Sequence, residues 1–419
     1  MGYYWPFLLQ NIVGDNKMTR TVEVDIVILG GGVFGLWLLN RLRQAGFGAI
    51  LFESNTLGGG QTYKSQGIIH GGMKYALHGN WTESAQTIAD MPTVWKQCLE
   101  GKGDIDLSHV PIISPHQHLW SSSKLTTKLT KFFANFALKS RITYLEKVDY
   151  PSIFQHPDFK GEVYALDEMV IDIPALIREL AKPHQDVIFK ISPFKEDQLH
   201  IDKNQNITYL EATTLSGEKL QIHAQRYVFA AGAGNEMIIK KLKYPDVAMQ
   251  RRALHMVLVK IPFAHSLYAH CLSLGSMLPR ITITTHQTRD NQLAWYIGGQ
   301  LAEEGIHRDS KTQITTAQKE LRQLFPWLDF SAAQFTSFMI DRIEPLQPNG
   351  KRPDGVFLKS INNMIIAWPT KLALAPKLTN DIMQHLRQEQ LSPCKHDTRE
   401  LRAWPIPPLA KPVWDELLC

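Results

Sequence analysis

The sequence predicts an α/β protein of two lobes: a nucleotide-binding lobe of parallel strands crossed by helices, and a second α+β lobe on an antiparallel sheet. Three observations predict it. A strand, a glycine-rich turn, a helix and a second strand follow one another within residues 24–53. Residues 253–300 carry alternating strand-like runs, among them His255 to Ile261, Arg280 to Thr284 and Leu293 to Ile297. The chain has 419 residues, more than the roughly 250–300 at which single cores stop growing.

Val24 to Leu29 (VDIVIL) is almost entirely apolar and β-branched, the pattern of a strand buried on both faces. Val33 to Ala45 reads as a helix closed by Gly46 and Gly48, and Gly48 to Phe52 as a second strand ending at Glu53. Between strand and helix stands Gly30-x-Gly32-x-x-Gly35. The first glycine permits the tight turn, the second lets main chain approach a pyrophosphate, and the third lets the helix pack against the strand. The helix N-terminus then aims unpaired N–H groups and its positive dipole end at the phosphates. Glu53 stands where a carboxylate would grip a ribose diol, and its charge opposes a 2′-phosphorylated cofactor.

No third Rossmann repeat follows. Residues 57–72 (LGGGQTYKSQGIIHGG) are instead glycine-rich, suited to close backbone approach. A second strand-glycine turn (VFAAGAG, 228–234) and a third strand-turn-helix (IIAWPTKLALAP, 365–376) come far downstream. A nucleotide lobe assembled from three separated segments points to FAD rather than NAD. Other expected elements are a strand, a turn at Pro174 and a helix within Ala165 to Lys182, a strand at Asp186 to Ile191, and a β-meander from Leu199 to His223. A separate strand is expected at Arg226 to Ala231, a helix around Thr315–Phe325, a strand at Asn363 to Ala367 and a helix to about Gln388.

Composition bounds the function. Hydrophobic residues make up 44% and charged residues 20%, and the formal net charge of +5 suits an anionic ligand without arguing for nucleic acid. Four cysteines show no C-x-x-C pair and no clustered histidines, so neither a zinc site nor a redox dithiol is expected. No apolar run is long enough to cross a membrane, and Tyr3 to Leu9 makes a poor signal peptide. The expected place is the cytoplasm. Leu125 to Phe136 places apolar residues at helical spacing among Lys124, Lys128, Lys131 and Lys139. This is either a solvated basic face over a buried stripe or a contact for a membrane surface or polyanion such as RNA.

The N-terminal segment with Glu53, SQGIIHGGMKY (65–75), EMVIDIPALIREL (168–180), RYVFAAGAG (226–234) and the closing IIAWPTKLALAP together resemble the D-amino acid oxidase superfamily of FAD enzymes. The resemblance implies a GR2-type layout. Residues 18–80, 165–240 and 339–390 would form the FAD-binding lobe, and 81–164 and 241–338 the substrate lobe. Residues 1–17 would be an N-terminal extension and 391–419 an extended tail. The implied cofactor-binding residues are Gly30, Gly32, Val33, Phe34, Gly35, Glu53, Ser54, Gly71, Gly72, Ala231, Gly232, Pro369, Thr370 and Lys371.

The IHGG segment is similar to that of glycerol-3-phosphate and 2-hydroxyglutarate oxidising members, where it passes close to the isoalloxazine. Its histidine corresponds to His70, as a base or alternatively a covalent flavin tether, and a basic residue four positions later to Lys74. Oxidising an alcohol needs a base for the hydroxyl proton, which favours histidine; an amine can dispense with one. Arg342 and Lys74 are the expected anion clamp, Lys371 the cation near the flavin pyrimidine edge, and Tyr75 and Tyr296 either pocket wall or core. Two departures stand out: Trp368, Pro369, Thr370 and Lys371 replace the usual closing glycines, and Arg342-Ile343-Glu344-Pro345 replaces an Arg-Pro step.

The expected reaction is hydride transfer to FAD from a small anionic 2-hydroxy acid or polyol phosphate. The alternatives are an amine or amino-acid oxidase of the same fold, and a flavoprotein docked to RNA or a membrane. Oxygen, a quinone and an electron-transfer protein all stay open as electron acceptor.

Overall fold

A computed structural model describes residues 20–71, 83–121, 142–244, 246–272, 279–348, 350–394 and 396–419. The proposed extension 1–17, the basic segment 124–139, Gly72, Lys74 and Tyr75 lie outside the described residues. Strand β1 (Thr21–Leu29) leads through the glycine turn to α1 (Val33–Gln44) and β2 (Ala49–Glu53). Helix α2 (Glu83–Leu99) follows, then β3 (Ile112–Ser114), β4 (Gln117–Ser121), β5 (Ile142–Tyr144), β6 (Glu162–Leu166) and β7 (Val170–Ile171). Helix α3 (Ile173–Ala181) comes next, with the Asp172 side chain capping it by accepting from the Ala175 N–H at 2.7 Å. Pro174 therefore does not make a turn. It sits in the first turn of this helix, where its missing N–H is no loss.

Strands β8 (Ile188–Lys190), β9 (Leu199–Ile201), β10 (Ile207–Thr213) and β11 (Lys219–Phe229) lead to α4 (Asn235–Leu242). Then come β12 (Met249–Ile261), β13 (Ala269–Leu272), β14 (Ile281–Gln287), β15 (Leu293–Gly298), α5 (Gln300–Glu304), α6 (Ser310–Leu324) and β16 (Gln334–Pro345). The chain closes with β17 (Phe357–Ile361), β18 (Met364–Trp368), α7 (Ala375–Gln388) and α8 (Val413–Leu418).

The first sheet runs β17-β18-β11-β1-β2-β8, with β10 beside β11 and β9 beside β10. β1 lies between two parallel neighbours, pairing Leu29 with Phe52 of β2 and with Phe229 of β11. Burial of its last six residues without alternation follows from that central place. The parallel strand that β2 needs on its outer side is β8, where Leu51 pairs with Ile188 after β4, β5 and β6 of the other lobe have intervened. The sequence reading separated the meander from the strand at 226–231. They are one strand: β11 pairs antiparallel with β10 through Lys219–Ile222 and parallel with β18 through Tyr227–Phe229, on the side away from β1.

The second sheet runs β16-β12-β15-β14-β13-β4-β6-β5. One face packs Val257, Val259, Ile283, Trp295 and Ile297 against α6 and an aromatic cluster around Trp120, Phe154 and Phe325. Cross-strand pairing places His270, Thr282, Tyr296, Arg252 and Arg342 on the opposite face. That face meets the glycine-rich segment from the first lobe: Gln66 Nε2 donates to the Tyr296 carbonyl at 2.8 Å, and the Tyr296 hydroxyl donates to the Lys64 carbonyl at 2.7 Å. Tyr296 is thus fully buried core and not pocket wall.

The tail joins the two lobes. The Pro405 carbonyl accepts from Lys190 N at 2.7 Å, and Leu57 exchanges main-chain bonds with Pro408 and Ala410. Then α8, which the proline-rich composition hid, seats Trp414 on His286 at 3.9 Å between ring centroids. Among the described residues no helix is long and apolar enough to cross a membrane.

Asp25 binds this assembly together. Its buried carboxylate accepts from Gly48 N at 2.6 Å, Gln225 Nε2 at 2.8 Å and Cys394 N at 2.9 Å, linking β1, the turn before β2, β11 and the tail. Asp25→Ala strands buried donors and should lower unfolding free energy by about 2–4 kcal/mol in urea titration; a loss under about 1 kcal/mol would contradict this role. Burial pushes His286 down to about 3. The unfolded chain therefore takes up a proton near the ordinary histidine value that the folded chain refuses. This contribution to stability falls as pH drops below about 6.5, by up to about 1.4 kcal/mol per pH unit. His286→Phe, which keeps a ring against Trp414, should flatten that part of the stability-pH curve between pH 6 and 4; an unchanged slope would sink the assignment.

Candidate functional site

A cavity of about 950 Å³ runs from the glycine turn, past the segment 59–70, to the cation-bearing face of the second sheet. It lies at the upper end of the range for small-molecule sites, roughly 300–1,000 Å³.

The glycine turn forms one end. Gly30 has φ +119°, and a Cβ there would stand 2.6 Å from the Ala230 carbonyl oxygen. A Cβ on Gly35 would stand 2.0 Å from the Gly30 oxygen, so only glycine lets α1 approach the turn this closely. Gly32 caps α1 with no side-chain hydrogen bond and lines the cavity beside Val33 and Phe34. The Val33 N–H donates to Thr62 Oγ1 at 3.2 Å. This is a main-chain cradle with the positive end of a helix above it, which fits a diphosphate.

Glu53 lies at the adjacent wall. Its carboxylate accepts from Gly31 N at 2.7 Å and Asn55 N at 2.6 Å. A carboxylate has about four lone-pair positions, so these bonds fix its orientation and leave capacity for a ribose diol. Ser54 lines the same end.

The second and third segments close the cavity from the side. Ala231 and Gly232 line it, and fully buried Asn235 bolts them in place: its Oδ1 accepts from Ala231 N at 3.0 Å, and its Nδ2 donates to the Phe229 and Ala367 carbonyls. Trp368 Nε1 donates to the Gly232 carbonyl at 3.2 Å. Pro369, Thr370 and Lys371 follow along the wall, with Thr370 at φ +60° and its hydroxyl on the Gly355 carbonyl. Lys371 is buried, and its Nζ donates to the Asp354 carbonyl at 3.0 Å. It does not face solvent at a helix start.

His70 stands on the cavity wall, with its Nδ1 3.1 Å from Glu168 Oε2. The other Glu168 oxygen accepts from Gly71 N at 2.8 Å. Gly71 thus gives its amide to a protein carboxylate, a partner the sequence reading did not foresee. Burial alone would raise the Glu168 carboxyl; the charge and hydrogen bond of His70, the charge of His270 and the Gly71 N–H outweigh it, holding the group below its ordinary value. His270 is buried and bonded to Thr282 Oγ1 at 2.9 Å, its ring 6.1 Å from that of His70. Ligand atoms of His70, Glu168 and His270 all lie within 4.8 Å of one another.

Arg342 lines the same cavity from β16. Arg352, from the loop between β16 and β17, also lines it. Glu168, His270 and Arg352 were missed in the sequence. The only available signal was that Glu168 opens the EMVIDIPALIREL segment.

The residues so assembled match a known group. Residues 25–359 match the DAO family, FAD dependent oxidoreductase. The chain is 44% identical over 402 residues to a probable FAD-dependent oxidoreductase of Pseudomonas aeruginosa, covering 95% of this chain and 99% of that protein. The crystal structure of that protein superposes with a TM-score of 0.82 at 40% identity, over 96% of this chain and 100% of that one. The L-α-glycerophosphate oxidase of Mycoplasma pneumoniae, solved with FAD bound, shares the fold at TM-score 0.63 and 14% identity, over 94% of this chain and 97% of that one. An aerobic glycerol-3-phosphate dehydrogenase of Staphylococcus haemolyticus is 21% identical over 233 residues, 54% of this chain and 41% of that protein. With the three-segment cradle in place, the conclusion is that the chain belongs to the DAO family and is an FAD-dependent oxidoreductase.

Proposed function

We propose that the protein oxidises the carbinol carbon of a small anionic 2-hydroxy acid or polyol phosphate. The observation that carries this reading is the His70–Glu168 pair on the cavity wall. Bound FAD supplies the ring that accepts a hydride. The protein supplies what an alcohol needs and an amine does not, a positioned base. Glu168, ionised and held by Gly71 N, fixes the His70 ring through Nδ1 and so favours the tautomer with its lone pair on Nε2. Nε2 then takes the substrate hydroxyl proton. Arg342 holds the anionic end, which sets the carbinol carbon relative to His70. The glycerol-3-phosphate dehydrogenase among the similar proteins supports a hydroxylated, anionic substrate.

The turn glycines, Val33 and Phe34 are assigned to the diphosphate, Glu53 and Ser54 to the adenosine ribose, and Ala231, Gly232 and Pro369 to Lys371 to the flavin end. Gly72 and Lys74 keep their places in this assignment as expectations from the sequence.

Anaerobic mixing of the yellow holoenzyme with glycerol 3-phosphate and a panel of 2-hydroxy acids should bleach the flavin band with at least one of them. Bleaching by glycine, sarcosine or D-amino acids alone would replace this reading with amine oxidation. Reoxidation by air, a soluble quinone or neither then sorts the electron acceptor. With the bleaching substrate in hand, His70→Gln should slow flavin reduction by about 10²–10⁴-fold. Glu168→Gln should slow it less. It should also move the acidic limb of the rate-pH profile to lower pH, because the carboxylate that favours imidazolium is gone. A Glu168→Gln profile superimposable on the native one would remove Glu168 from the mechanism.

A further inference from the structure

The cations on and next to the cavity wall differ in how they are paired. Arg251 is engaged by Glu236 at 2.7 Å and Asp341 at 3.5 Å. Arg252 makes a two-pronged bond to buried Glu344, at 2.7 and 2.9 Å. Lys371 donates to a carbonyl. Arg342 and Arg352 stand apart. Arg342 Nη1 and Arg352 Nε are both buried, with no hydrogen-bond partner among the described residues. The carboxylate near Arg342 is Glu303, at 3.8 Å, beyond hydrogen-bond reach.

Two like charges in this position oppose one another. Burial first, then the charges of Arg352 and Arg252, push the Arg342 guanidinium down to about 10 in spite of Glu303 and Glu344. Buried donors without acceptors and adjacent like charges are both unfavourable. Both groups face one cavity, so a single anion reaching them offsets both costs. Arg342 lies on β16 and Arg352 on the loop after it, whereas the diphosphate cradle is at the N-terminus of α1.

We infer that the cavity selects a substrate whose anionic end carries two negative charges, a phosphate monoester or a dicarboxylate, held jointly by Arg342 and Arg352. The inference rests on the reading of this cavity as the substrate site. One carboxylate would neutralise one guanidinium and leave the other's buried donor without an acceptor. A dianion satisfies both, and the planar forks of the arginines suit its oxygens. Arg352 is then the specificity-determining residue: it separates dianionic hydroxy compounds from singly charged acids of similar size.

The test is a titration of the holoenzyme at constant ionic strength and pH 8 with acetate, malonate and inorganic phosphate. Binding is followed by the shift of the flavin absorbance band and, separately, by calorimetry. Malonate or phosphate should bind about 10–100-fold more tightly than acetate. Preference for malonate identifies a dicarboxylate end, preference for phosphate a phosphate ester, and either supports the inference. Arg352→Gln should bring the dianions to within about threefold of acetate while acetate itself changes little. Arg352→Lys should keep part of the preference, and Arg342→Gln should weaken all three anions. Acetate binding as tightly as both dianions to the native protein, or no binding of either dianion, overturns the inference. So does an Arg352→Gln holoenzyme that keeps the native preference. If Arg352→Gln loses its flavin, the native comparison and Arg352→Lys decide. Failure of every hydroxy compound to bleach the flavin would strike the reaction proposed above and leave these affinities standing.

Discussion

The whole molecule depends on how closely main chain can approach main chain at the end of β1. Gly35 brings the first turn of α1 against the Gly30 carbonyl, and Gly30 brings that turn against Ala230 at the end of β11. Any side chain at either position would force the helix off the sheet or part the two strands. The same absence of side chains exposes amides to a phosphate. Packing and binding here are one constraint, because the atoms that would spoil the first would also block the second. Asn235 extends the constraint to the third segment by bonding the ends of β11 and β18 at once.

The second lobe adds a surface of opposite character. Its sheet turns an aromatic and aliphatic face to α6, and a face bearing arginine to the cavity, with His270 buried on that same face. Period-two alternation in β12 to β16 is what separates them, since each strand must feed both sides. His270 and Arg342 therefore sit on strands, whose positions are fixed by hydrogen-bonded register. His70 reaches the same space from a loop but is held by the buried carboxylate of Glu168. A loop histidine thus acquires a defined ring orientation from a residue 98 positions away.

Much of this was legible in the sequence because the signals were local. Continuous β-branched runs marked β1 and β18, glycine spacing marked the cradle, and alternation marked the second sheet. The rest was not legible because it arises from tertiary pairing. Nothing near Glu168 or His270 signals that they meet His70. Arg352 sits in a proline- and glycine-bearing loop that reads as a connection, and its meaning comes only from Arg342 on the same cavity. Pro174 carries two local meanings, turn former and first-turn helix residue, and the Asp172 cap decided between them. Tyr296 could be read as pocket wall or as core, because strands in a covered sheet bury both sides and erase the mark of a wall; its full burial decides for core. The short helix α8 lacks the length for a periodic signal, and it forms where Trp414 finds an imidazole to stack on.

The strand order of the first sheet bears on how the protein is made. β1 and β2 pair locally, yet the free edge of β2 waits for β8 and that of β1 waits for β11, while β18 follows β2 by more than 300 residues. Until then two strongly apolar strands have unsatisfied edges, the condition that favours wrong pairing. A cradle whose walls come from positions separated by more than 300 residues is complete only when β18 has joined the sheet.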